Sequence, residues 1–148
     1  GPSSQLTVFG RSVPVGDEKS TDTNVEPEKG SIIVLMACDA PMDSRQLTRL
    51  SRRSGAALGR LGSCYGHGSG DITVAFSTAN IIKREVQDVH PTSRLCESRM
   101  DAFFDAAVEG TEEAILNALW HAEPHLGYNG TVLPSFKDAW NEVLSRRM

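Results

Sequence analysis

Gly30-Ser31-Ile32-Ile33-Val34-Leu35-Met36-Ala37 is the stretch on which the fold of this chain turns. From Ile32 onward it is an unbroken apolar run, the pattern of a strand buried on both faces, as in parallel α/β sheets. What precedes it is the opposite. Gly16 to Gly30 reads Gly-Asp-Glu-Lys-Ser-Thr-Asp-Thr-Asn-Val-Glu-Pro-Glu-Lys-Gly, almost devoid of large apolar groups, and is expected to be a solvated linker. Further upstream, residues 5–15 carry β-branched residues in short bursts around Gly10 and predict a strand or tight hairpin.

Downstream of the run the periodicity changes. Between Asp43 and Leu61, the residues Leu47, Leu50, Leu58 and Leu61 share one helical face, Ala56 and Ala57 add propensity, and Gly62 stands where the helix should end. The glycine-rich loop Gly62-Ser-Cys-Tyr-Gly-His-Gly-Ser-Gly70 leads into Asp71-Ile72-Thr73-Val74-Ala75-Phe76, a second strand with Ile72, Val74 and Phe76 on one face. From Ser98 to about Ala122, the residues Met100, Phe103, Phe104, Ala107, Val108, Thr111, Ala114, Ile115, Ala118 and Leu119 recur at helical spacing. Ser98 and Asp101 are placed as a capping box at its start. Pro134-Ser135 opens a short last helix, with Trp140, Val143 and Leu144 expected inward. Strands mixed with long amphipathic helices predict α/β or α+β layers.

Composition narrows the function. A chain of 148 residues with 39% hydrophobic content can bury one core. A net charge of −4 argues against nucleic-acid binding, which calls for clustered cations on a basic domain. Arg45, Arg49, Arg52, Arg53 and Arg60 read as a solvated helix face. Three cysteines (Cys38, Cys64, Cys96) without metal-type spacing suit a reducing compartment, so the cytoplasm is expected. There is no run of about 18 apolar residues and no basic-then-apolar secretory pattern, so no membrane association is expected. Gly1-Pro2 resembles the residue of a removed tag, which would place the natural start elsewhere.

The junction at Gly30-Ser31 has chemistry of its own. A serine hydroxyl can attack the carbonyl preceding its own nitrogen, giving an ester that water hydrolyses, and a new chain then begins at Ser31. Gly30, without a Cβ, tolerates a distorted backbone and leaves its carbonyl accessible. The freed α-amine, with a reference pKa of about 7.7–8.0, can serve as base for the hydroxyl beside it. Ser69 and Asp71 are the groups best placed to orient this pair, because residues two apart on an extended segment point to the same side. The plainer reading is a Gly-Ser turn with Asp71 capping a strand. The loop is no phosphate cradle: it lacks the Gly-Lys-Ser/Thr ending, and a strand follows it.

Several motifs in order resemble one known family: Gly30-Ser-Ile-Ile-Val-Leu-Met-Ala-Cys-Asp-Ala-Pro41, Gln46-Leu-Thr-Arg-Leu with Arg52-Arg53, Gly68-Ser-Gly-Asp-Ile72, Ala75-Phe-Ser-Thr-Ala-Asn80, and Glu112-Glu-Ala-Ile-Leu-Asn-Ala-Leu119. They are similar to the β-subunit of the L-aminopeptidase/D-esterase family, the β-aminopeptidase-type self-processing hydrolases. The resemblance covers residues 31 to about 145, and also the Leu6–Gly16 strand. It implies a precursor cut before a serine, with Ser31 as nucleophile and Gly30 on the other side of the cut. It further implies Ser69 as a second active-site serine, Asp71 as the carboxylate two residues later, and a four-layer α/β/β/α sandwich. Substrates would be small peptides, amides or esters, no cofactor or metal would be needed, and a homo-oligomer would be expected.

On that resemblance, residues 1–16 are the end of an α-chain region, 17–30 the linker up to the cut, and 31–148 the catalytic β-subunit. Family precursors place most of the α-chain ahead of the cut, and with it an oxyanion-stabilising Asn and a substrate-side Tyr. Only 30 residues precede Ser31, and Asn24, in the linker, is no substitute. Another part of the polypeptide or another chain would have to complete the site. A catalytically silent structural or regulatory fragment and an acyltransferase on the same fold stay open as alternatives.

The remaining candidates have plainer explanations. His67 and Cys64 lie in the glycine-rich loop, one as a solvent-facing imidazole and the other as a bystander thiol. His121 and His125 have a metal-like spacing, yet Pro124 should break the helix between them. His90, before Pro91, signals nothing, and Trp120 and Trp140 are assigned to packing.

Overall fold

The apolar run does form a strand, but only one of its faces is covered. The computed structural model describes residues 5–13, 15, 30–84, 88–127, 130 and 132–146. Most of the proposed linker, with Asn24, lies outside the described residues. The elements are β1 (Thr7–Val8), β2 (Arg11–Ser12), β3 (Ile33–Cys38), α1 (Ser44–Ser51), α2 (Ser54–Arg60), β4 (Ile72–Ser77), α3 (Met100–His121), β5 (His125–Leu126), β6 (Val132–Leu133) and α4 (Phe136–Ser145). A single 3₁₀ turn, Glu97–Arg99, precedes α3.

β3 and β4 are parallel and in register from Ile33↔Ile72 to Cys38↔Ser77, joined by a crossover through α1 and α2. Side chains alternate across the pair. Met36, Cys38 and Ala75 pack against a core of Ala40, Met42, Leu50, Met100 and Phe104 drawn from the helical side. The opposite face is open: Ile33 is 75% exposed, Leu35 68%, Ile72 55%, Val74 46% and Phe76 41%. Both-face burial of the run is therefore corrected to one-face burial.

The long helix expected over Asp43–Leu61 is two helices. Arg53 N–H bonds Leu50 O rather than continuing the four-residue ladder, and the buried Ser54 turns its hydroxyl to Ser51 O and to Thr73 Oγ1 on β4. That tightened turn redirects the chain into α2, which packs on α3. α1 opens on a capping box at Asp43, whose carboxylate accepts from Gln46 N–H while the Gln46 amide oxygen accepts from Asp43 N–H. The box expected at Ser98 and Asp101 is absent. Arg99 is the N-cap of α3 without a side-chain bond, because the 3₁₀ turn takes up Ser98, whose hydroxyl meets Cys96 Sγ.

Along α3, Met100, Phe104, Val108 and Thr111 are buried, while Ala114 and Ala118 are exposed beside the free edge of β3. Trp140 and Val143 of α4 face inward as expected, whereas Leu144 is exposed.

The N-terminal segment is a hairpin, as predicted. Phe9 and Gly10 both take positive φ, as a two-residue type I′ connection requires. It is held by Thr7 N–H to Leu61 O, and its Val8 and Val13 form a second small core with Phe136 of α4. Gly62 is fixed by that docking: its φ is +92°, and a Cβ there would collide with the Gln5 carbonyl.

The arginines do not form a merely solvated face. Arg45, Arg49 and Arg94 converge on Glu97, and Arg53 stacks 3.9 Å above the Phe104 ring. Arg60 pairs with Glu112. No helix of the described residues is long and apolar enough to cross a membrane.

Candidate active site

The parallel pairing continues past the strand ends and brings the two sequence motifs together. Ile72 N–H donates to Ile32 O at 2.9 Å, and Ile32 N–H donates to Asp71 Oδ1 at 3.1 Å. One residue further out, Gly70 N–H points at Ser31 Oγ, 3.0 Å away. Ser69 Oγ stands 3.0 Å from the Gly30 carbonyl oxygen and 2.8 Å from Asp71 Oδ1. All four residues named from sequence, Gly30, Ser31, Ser69 and Asp71, thus meet at the amino ends of β3 and β4.

A serine hydroxyl carries one proton. Ser69 faces two acceptors, so it donates either to Asp71 or to the carbonyl of the Gly30-Ser31 bond. In the second arrangement it draws electron density from that carbonyl while Gly70 N–H fixes the position of Ser31 Oγ. Asp71, engaged by Ile32 N–H, is itself held by the backbone of the strand whose first residues it orients.

Behind this cluster lies a cavity of about 500 Å³. Its walls include Leu58, Leu61, Ile115, Leu119 and Phe136, with Ser31, Ser69 and Asp71 also lining it. Apolar walls with a few convergent polar groups are the ordinary make-up of a small-molecule site.

The other candidates sit elsewhere or stand alone. His67 and Cys64 are exposed on the loop. α3 ends at His121, whose Nδ1 lies 2.8 Å from Asn117 O, and His125 begins β5, so no shared helical face joins them. Among the described residues no cluster of three or more His, Cys, Asp or Glu is arranged to hold a metal. One participant has no sequence signal beyond a glycine between Ser69 and Asp71: Gly70, which acts through its backbone N–H. Tyr65, in the same loop, has a left-handed φ of 53°.

The family model for peptidase family S58 matches residues 1–133. The chain belongs to peptidase family S58. A β-peptidyl aminopeptidase of Sphingosinicella microcystinivorans is 46% identical over 112 residues, covering 75% of this chain and 28% of the relative.

Two solved structures superpose closely. The PH0078 protein from Pyrococcus horikoshii OT3 aligns with a TM-score of 0.80 and 37% identity over 99% of this chain and 40% of its own. The L-aminopeptidase D-Ala-esterase/amidase from Ochrobactrum anthropi, described as a prototype for the serine aminopeptidases with a variant of the Ntn-hydrolase fold, aligns with a TM-score of 0.77 and 33% identity. That match covers 98% of this chain and 40% of that structure. This S58 chain therefore spans well under half the length of the relatives it matches, and its mixed helix-and-strand arrangement corresponds to part of an Ntn-hydrolase fold.

Proposed function

We propose that this chain is the catalytic β-portion of a self-cleaving aminopeptidase whose nucleophile is Ser31. The observation that carries the reading is the pairing of Ser69 Oγ with both Gly30 O and Asp71 Oδ1, beside a Ser31 Oγ held by Gly70 N–H. In the precursor, Ser31 Oγ attacks the Gly30 carbonyl carbon, the C–N bond breaks, and the resulting ester is hydrolysed. The freed amine of Ser31 then acts as base: it takes the hydroxyl proton as Oγ attacks a substrate carbonyl, and returns it to the leaving group. An acyl-enzyme forms, and water releases it. Small peptides, amides or esters with a free amino end are the substrate class, cut to release the N-terminal residue.

The open face of β3 and β4 supports a four-layer arrangement. Five large apolar side chains facing one way call for a second sheet, supplied by the rest of the polypeptide or by another chain. That layer would also bring a further oxyanion donor for substrate turnover. Cytoplasmic location and assembly into a homo-oligomer belong to the same reading.

Intact-mass measurement of the full polypeptide tests it. Scission should yield a piece beginning at Ser31, Ser31→Ala should stay whole, and a serine-directed activity probe should label Ser31. Wild-type protein that stays whole with Ser31 unlabelled refutes the enzyme reading and leaves the silent scaffold.

A further inference from the structure

Ser69 and Asp71 stand at the end of a nine-residue loop in which four of the residues are glycine, so something must hold that loop still. Tyr65 lies in its middle. Its backbone is left-handed at φ 53°, a conformation that bulky residues adopt only where their surroundings enforce it. Its side chain reaches back over the start of α2, where the hydroxyl would stand 2.8 Å from a Cβ on Gly55. Beside that hydroxyl is Ser54, only 4% exposed, whose own Oγ is 2.8 Å from Thr73 Oγ1. Thr73 is two residues beyond Asp71 on β4. The loop, α2 and the first turn of the strand are thereby tied at one point.

The electrostatics agree with that placement. Partial burial raises the Tyr65 pKa above its ordinary value and the Asp71 charge raises it further, while the neighbouring Ser54 hydroxyl offsets part of the rise; the residue as a whole is 47% exposed. The phenol keeps its proton at neutral pH, as an ordinary tyrosine does, and is close enough to feel the Asp71 carboxylate.

We infer that Tyr65 is a positioning residue of the site: its hydroxyl, seated against Ser54 and the bare Cα of Gly55, fixes the loop so that Ser69 and Asp71 meet Gly30 and Ser31. The inference rests on the reading of Ser31 as nucleophile. Gly55 has a part in it, since only a glycine leaves room for the phenol oxygen.

A double-mutant cycle on the full self-cleaving polypeptide tests this. Tyr65→Phe keeps the ring and removes the hydroxyl. Self-cleavage and kcat on an alanine p-nitroanilide should each fall about 3- to 10-fold, the size of one neutral hydrogen bond, with KM unchanged and Tm within about 2 °C. Gly55→Ala should produce a similar fall by displacing the phenol oxygen. In the Tyr65→Phe background Gly55→Ala should cost nothing more, because the nearest ring atom is then Cζ, 3.5 Å from the new Cβ in ordinary contact. Wild-type rates for Tyr65→Phe, or falls that multiply in the double variant, overturn the inference. If wild type fails to cleave, or Ser31→Ala cleaves equally, the reading of Ser31 fails and the inference goes with it.

Discussion

Replacing Ser69 by alanine removes the one proton for which Gly30 O and Asp71 compete. In the resting chain that bond, 3.0 Å from Ser69 Oγ to the carbonyl, is a neutral one, worth about 0.5–1.5 kcal/mol. As Ser31 Oγ adds to the carbonyl, the same oxygen gains negative charge and the bond strengthens. Donors aimed at a developing oxyanion are worth about 10²–10³ in rate, or about 2.7–4 kcal/mol. Ser69→Ala should therefore slow scission at Gly30-Ser31 by that factor while lowering folding stability by no more than about 1 kcal/mol. A time course of intact mass on freshly folded protein reads the first quantity, and a urea titration the second. Ser69→Thr, which keeps a hydroxyl, should recover most of the rate. A scission half-time for Ser69→Ala within about threefold of wild type, with the fold intact, would refute the assignment of Ser69 to the carbonyl.

Three further outcomes follow from the packing. Gln46 is fully buried, bonding Leu95 O, Glu97 and Asp43 N–H, so Gln46→Leu should cost about 1–3 kcal/mol in urea unfolding by leaving Leu95 O and Asp43 N–H unpaired. The Glu97 carboxyl is held at about 2: desolvation pushes it up, but bonds from Arg49, Arg94 and Gln46 and the Arg45 charge outweigh that. Its folded pKa is below the unfolded value of about 4.3, so its stabilisation is present above about pH 4.3 and lost as pH falls toward 2. Glu97→Gln should flatten that acid limb, and parallel pH–stability curves for the two proteins would exclude the linkage. Leu35, 68% exposed, should accept Glu within about 0.5 kcal/mol in the isolated chain, yet Leu35→Glu should abolish co-purification with the completing region.

Much of this was legible in sequence because local pattern and tertiary role agree. The hydrophobic period located β3, β4 and α3, and Ser135 caps α4 where Pro134-Ser135 predicted a helix start. The failures share one cause: the deciding partner is distant in sequence. The break at Arg52-Arg53 depends on Ser54 finding Thr73, and the real capping box at Asp43 depends on a Gln46 that also serves Leu95. An unbroken apolar run says that both faces of β3 want cover. It does not say that this chain supplies only one cover. In the site, Ser31, Ser69 and Asp71 were readable as residue types at suggestive spacings, whereas Gly70 acts through a backbone N–H, which composition does not encode.

The parallel register of β3 and β4 has one more consequence. Nothing covalent links Gly30 and Ser31 to Ser69 and Asp71 except the crossover between them, so the ladder from Ile33↔Ile72 onward is the gauge that sets their separation. A slip of one residue would carry Ser69 about 3.3 Å along the strand and turn its hydroxyl to the other side of the sheet. On the proposed reading, bond scission becomes a proofreading step: a chain whose strands mate out of frame would keep its precursor bond and gain no free amine. The alternation of Met36 and Ala75 against Leu35 and Val74, far from any reacting atom, is what certifies the molecule for work.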